Sequence, residues 1–195
     1  MEDAEDELGI SFEEDVVPWL GSEVSIGIPN LGKAAEGEDP VVVLAAVTRD
    51  RKASDAFVEK LRESLEDAGY DVDEKTYNGV TFYEQQVESE YETPTVFGHV
   101  GNVVVIATGV DAMEDVIDTQ QGKSDSLAKN PKHTDLAKAL PKNASMYMYF
   151  NIEDIAPAME EAQPGVSEDQ LEGYENVGVA VTVGKEGIQI DAAVP

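Results

Sequence analysis

"YDVDEKTYNGVTFYEQQV", residues 70–87, decides the fold. Two strand-like stretches, "YDVDEKTY" and "GVTFYEQQV", meet at Asn78-Gly79, and both residues tolerate the positive φ that a type I′ turn requires. The expected product is a hairpin, and with it antiparallel pairing. On either side, "PVVVLAAVTRDRKASDAFVEKL" (40–61) and "NVVVIATGVDAMEDVIDTQ" (102–120) echo each other as a buried strand followed by an amphipathic helix. Strict βαβ alternation would make them neighbours in a parallel sheet. The hairpin and a third strand, "TVFGHV" (95–100), lie between them and break it. The class is therefore α+β, a largely antiparallel sheet with helices packed mainly on one face.

Working outward, "ASDAFVEKLRESLEDAG" (53–69) repeats Phe57, Leu61 and Leu65 every four residues with Val58 and Ala68 alongside, a helix ended by Gly69. "VVVLAAV" (41–47) and "VVVIATG" (103–109) are continuous apolar runs suited to strands covered on both faces. Asp111 and Glu114 have capping-box spacing at the head of a helix burying Met113, Val116 and Ile117. Near the start, "FEEDVVPWLGSEVSIGIP" (12–29) follows Ser11, which forms a capping box with Glu14. Pro18 and Gly21 stop that short helix at a corner, Trp19 reads as a core wedge there, and Val24, Ile26 and Ile28 alternate along the next strand.

"NLGKAAEGEDP" (30–40) reads as a loop. Beyond Gly122 come a polar connection, a short helix "TDLAKAL" (134–140), a strand "ASMYMYF" (144–150), a helix around "EDIAPAME" (153–160) and a hairpin turning at Gly184–Gly187. In domain terms, residues 1–10 form an acidic flexible tail and 11–195 a single α+β domain. The internal echo lets that domain be divided into related strand-helix units at 41–100 and 102–195.

The 195 residues include 13 Lys plus Arg against 41 Asp plus Glu, a formal charge of −28. Binding to nucleic acid depends on cations displacing counterions from phosphates, so a nucleic-acid partner is excluded, and anionic membrane surfaces are disfavoured for the same reason. Two origins fit the acidity: an exported acidic protein or adaptation to high salt. Without cysteine there is no disulfide, thiolate metal site or cysteine nucleophile. No apolar run approaches the roughly 20 residues of a transmembrane helix, so this sequence does not itself insert in a membrane. "MEDAEDELGI" is too acidic for a signal peptide, so the targeting segment of an exported form is expected to be trimmed or upstream.

No motif for a catalytic residue, cofactor or metal stands out: there is no G-x-G-x-x-G, no P-loop and no G-x-S-x-G elbow. His99 and His133, the two histidines, read as surface or hairpin residues. Asp71 and Asp73 share one face of an edge-like strand, where they serve as a solvated acidic face or as oxygen ligands for a hard cation. In "SMYMYF" (145–150) the alternation puts Met146, Met148 and Phe150 toward the core, with Tyr147 and Tyr149 opposite, under a helix or partly wet. A functional alternative makes Trp19, Met146, Tyr147, Met148 and Tyr149 an apolar groove. Asn143-Ala144-Ser145 matches a glycosylation sequon.

"PWLGSEV", "VVVLAAV", "YNGVTFY", "NVVVIATG" and "SLAKNPKHTDLAKALPKNASMYMYFNI" occur in that order. Together, over most of residues 11–155, they make the chain resemble the bacterial family catalogued as domain of unknown function 3352. The resemblance implies an exported or membrane-anchored protein, hence an extracytoplasmic or cell-surface location, and supplies no catalytic residues. The expected function is that of a non-enzymatic domain acting in binding or scaffolding, with an unknown protein or an apolar ligand as partner and no cofactor. The alternatives are a hydrolase with carboxylate or metal chemistry and a purely structural acidic or salt-adapted surface domain.

Overall fold

The computed structural model describes residues 9–35, 37–87, 89, 92–152, 154–156, 175–184 and 187–194. The chain forms two compact units, residues 1–29 with 41–124 and residues 30–40 with 125–195. The strand and helix of both halves of the internal echo, at 41–61 and 102–120, lie in the first. The described residues form four α-helices: α1 (Leu31–Ala35), α2 (Arg51–Asp67), α3 (Val110–Gln120) and α4 (Pro131–Ala139), together with a π-turn at Phe12–Val16 and a 3-10 turn at Leu127–Lys129.

The first unit is a six-stranded sheet built from β1 (Leu20–Gly27), β2 (Val43–Thr48), β3 (Val72–Tyr77), β4 (Val80–Gln85), β5 (Thr95–Val100) and β6 (Val103–Thr108). Their order is β1-β2-β6-β5-β4-β3, antiparallel throughout. Asn78 (φ 48°) and Gly79 (φ 79°) form the β3–β4 turn as the sequence predicts, with Tyr77 registered on Val80. The α+β class holds.

The placement of the helices differs from expectation, because the two long ones are divided between the faces of this sheet. On one side Phe57, Val58, Leu61 and Leu65 of α2 pack with Trp19, Ala46, Phe97 and Val104. On the other, Ala112, Met113 and Ile117 of α3 pack with Phe82, Val96, Val100, Val105 and Ala107. Successive strand residues point to opposite faces, so the pairs Val96/Phe97 and Val104/Val105 feed one core each. Continuous apolar runs in β2 and β6, with Val96, Phe97 and Val100 in β5, make both faces oily, and one helix cannot cover both.

Two local expectations are also corrected. Glu14 donates its backbone N–H to the Ser11 hydroxyl, but it is Asp15 that reaches back to accept the Ser11 N–H, at 2.8 Å. The wider π-turn puts the residue at N4, rather than N3, over the cap. At α3 the N-cap is Gly109 (φ 88°), with no side-chain cap, so Asp111 sits inside the first turn, where its charge favours the helix dipole.

The second unit contains a three-stranded antiparallel sheet, β7 (Met146–Asn151), β8 (Asn176–Gly184) and β9 (Gly187–Ala193), in the order β7-β8-β9. Asn130 caps α4 through the Lys132 N–H, with Pro131 in the first turn. Helix α1 occupies part of the segment expected to be a loop; Leu31 to Ala35 includes two alanines, and the Ala34 N–H reaches the Asn30 carbonyl at 2.9 Å. The helix expected around 153–160 is described only at Ile152 and Asp154–Ala156; the rest of it, the acidic stretch 1–8 and the turn residues Lys185 and Glu186 lie outside the described residues.

Candidate functional site

Trp19 offers no surface to a ligand. It is 2% exposed, its ring lies 5.0 Å from that of Phe57, and its indole N–H donates to the Asp15 carbonyl at 2.8 Å. Arg49 closes the corner from outside, its guanidinium donating to the carbonyls of Val17 (2.8 Å) and Pro18 (3.1 Å) and its backbone N–H to that of Trp19 (2.9 Å). Lys60 bridges α2 to the Asp15 carboxylate. Burial opposes that charge, but the Lys60 hydrogen bond, the Ser11 N–H and the Lys60 charge outweigh it and hold Asp15 below the usual aspartate range.

His99 is the point where titratable groups converge. Its Nε2 lies 2.9 Å from the Ser54 hydroxyl and its Nδ1 3.5 Å from Asp55 Oδ1. The order of partners matches a Ser-His-Asp nucleophile system, although the sequence marks no such motif. The surroundings do not match. Ser54 is 0% exposed, in the first turns of α2, and its hydroxyl lies 3.0 Å from the Arg51 carbonyl, which it can reach as a donor. A carbonyl substrate has no access to an oxygen sealed between helix and sheet. His99 thus sits in the β5–β6 hairpin, within the range expected, with its side chain largely buried as a pin between β5 and α2. Burial, and then the Arg51 charge, push its imidazole below the ordinary value, against a smaller opposing effect of Asp55.

In the second unit Tyr147 and Tyr149 lie under a helix, as expected, with Tyr147 38% exposed; it is Met146, expected toward the core, that stands open. Tyr147 and Tyr149 register on Ala180 and Gly178, with Asn151 on Asn176, and this is the side toward α4. A side chain at Gly178 would meet Leu140 Cδ1 at 3.0 Å and Leu136 Cβ at 3.3 Å, so the small residues of β8 make room for helix and tyrosine rings together. His133, half-buried, stands edge-on to both tyrosines, with centroids 5.7 and 5.1 Å away. Tyr149 donates to Asn176, and Lys132 pairs with Glu175. Burial raises the pKa of both tyrosines.

Met146, Met148 and Phe150 lie on the opposite face, registered on Val181, Val179 and Val177, with Ile190 and Ala192 continuing the first two rows onto β9. Ile188, two residues before Ile190, shares that face. Ile188 and Ile190 are 70% and 69% exposed and Met146 56%, while Met148, Phe150 and the three valines are half-buried. Of the residues expected to line a groove, Met146 and the half-buried Met148 therefore belong to the apolar face away from α4, Tyr149 and the partly exposed Tyr147 to the side toward it, and Trp19 to the core of the first unit. Ile188 and Ile190 were not singled out from the sequence, although "GIQIDAAV" alternates in phase with Met146 and Met148 once the strands are paired.

Asp71 and Asp73 line an open acidic groove with Glu66, Tyr70 and Gln86. Among the described residues no three His, Cys, Asp or Glu side chains are grouped to hold a metal, and no helix is long and apolar enough to cross a membrane.

The fold and surface define a two-unit, acidic α+β protein with an exposed apolar sheet face in the second unit. The chain belongs to the DUF3352 family, proteins of unknown function, whose match spans residues 3–195. No curated protein and no solved structure matches it.

Proposed function

We propose that this chain is a non-enzymatic binding domain that works by protein contact, as the extracytoplasmic part of an exported or membrane-anchored protein. One observation carries the binding role: Ile188, Ile190 and Met146 stand exposed in adjoining rows of one sheet face, on a chain of net charge −28. Contiguous exposed apolar surface costs solubility and marks interaction sites in soluble proteins. The family resemblance supports the location. Hydrolysis would draw on His99, Ser54 and Asp55, but the sealed Ser54 hydroxyl counts against it.

The test is site-specific photo-cross-linking in cells, with the probe at position 188 or 190 and, as control, at Asp73. A discrete adduct at 188 and 190 alone, reproduced with the purified partner, is the expected result. Equal labelling from all three positions, or none from any, would overturn the proposal.

A further inference from the structure

The occupant of this face can be specified from the edge beside it. The inference rests on the binding role just proposed. β9 is the outer strand of its sheet, and its described backbone pairing runs only to β8, in unbroken register from Gly178↔Ala193 to Gly184↔Gly187. Soluble proteins blunt such edges with lysine, proline, bulges or charge. Of the other outer strands, β3 follows that rule and β1 does so in part, with Val24 and Ile26 still exposed, whereas β7, "MYMYFN", carries no lysine, proline, bulge or charge. β3 carries Asp73, Glu74 and Lys75, and β1 is broken by a register shift between Leu20 and Val24. β7 is half-buried over Met148–Asn151. β9, "GIQIDAA", has no lysine, proline or bulge and a single charge, Asp191, and it is exposed from Gly187 to Ile190.

We infer that β9 accepts an extended segment of a partner protein by strand addition, and that this segment alternates apolar and basic residues. Residues directly opposite across an antiparallel pair share a face. Partner residues opposite Ile188 and Ile190 extend the apolar face; those opposite Gln189 and Asp191 fall on the other. Asp191 accepts from Gln189 at 3.0 Å and forms no ion pair among the described residues, so a lysine or arginine opposite it completes a cross-strand charge pair. The net charge of −28 attracts such a segment and repels a second copy of this chain. Main-chain hydrogen bonds supply affinity and the alternation supplies selectivity, as in other strand-addition complexes.

The probe is a capped peptide of alternating valine and lysine added to the full chain, read by amide hydrogen exchange and by fluorescence anisotropy. The expected result is saturable protection of β9 amides that weakens with salt. Ile188→Thr with Ile190→Thr should lower the affinity by about tenfold, because two apolar contacts are lost from an exposed site that contributes little to folding. A valine–glutamate peptide, or the lysine peptide with a central proline, should not protect β9. The inference fails if β9 stays unprotected at millimolar peptide, if the glutamate peptide binds equally, if the threonine variant binds unchanged, or if β9 amides are already protected in a dimer seen by sedimentation. Specific cross-links from 188 and 190 without β9 protection would leave a partner on the face and remove strand addition alone.

Discussion

Trp19 and Phe57 meet ring to ring, 5.0 Å apart and tilted by 37°, joining the first corner of the chain to the middle of α2. The contact lies in a cluster with Leu61, Leu65, Phe97 and Val104, so truncating the indole leaves a hole that neighbours cannot fill. Trp19→Ala should cost about 3–5 kcal/mol. Denaturant unfolding, followed by circular dichroism because the variant lacks the only tryptophan, checks this. A cost below about 1 kcal/mol would mean that the site is not packed as described.

The corner and the first sheet were legible because their signals are local. Asn78-Gly79 carries its turn geometry in its residue types, and the four-residue spacing of Phe57, Leu61 and Leu65 marks one helix face. The side of the sheet taken by each helix was not legible. It follows from which of two apolar faces of the sheet each helix meets, a property of tertiary packing that the valine run of β6 does not encode.

His99 should make stability depend on pH. Burial, with the Arg51 charge behind it, keeps the folded-state imidazole below its ordinary value of 6.5, and Asp55 only partly offsets this. Below pH 6.5 the unfolded chain therefore binds the proton more readily, so this contribution is complete above 6.5 and is lost as pH falls toward the folded-state value. Comparing the unfolding free energy of wild type and His99→Gln from about pH 7.5 to 5 isolates the effect. The wild-type curve should fall more steeply, and parallel curves would contradict the buried ring.

Ser54→Ala gives a complementary test of the same pin. It removes the hydroxyl beside His99 Nε2 without adding bulk, and a buried nitrogen left unpaired costs about 1–3 kcal/mol. The loss should show as faster exchange of β5 amides. If stability is unchanged, the 2.9 Å contact does no structural work.

The candidate surface was only partly readable in advance. Alternation in "SMYMYF" separated methionines from tyrosines correctly, but hydropathy alone sent the methionines inward. What leaves Met146 open is Gly178 and Ala180 on β8, small residues far along the chain that admit α4 on the tyrosine side. Gly178→Val should therefore overpack that side and cost about 1–3 kcal/mol. Gly27→Ala, where nothing lies within 4 Å of the added carbon, should be nearly neutral. Exchange rates of β8 amides report the first change directly; equal rates in Gly178→Val and wild type would show that the helix is not seated there.

The acidity makes a prediction for the whole chain. With 41 acidic against 13 basic side chains, repulsion among carboxylates acts against folding, and its range shrinks from about 30 Å at 0.01 M salt to about 8 Å at 0.15 M. The melting temperature should climb over that interval at constant pH. If the acidity serves only solubility, the climb should level off once screening is complete, near a few tenths molar. A rise continuing into molar sodium chloride, matched by an equal rise in potassium chloride, would instead identify adaptation to a saline environment. A melting temperature that does not change from low to molar salt would exclude that adaptation and would show that the carboxylates are spaced widely enough not to oppose folding.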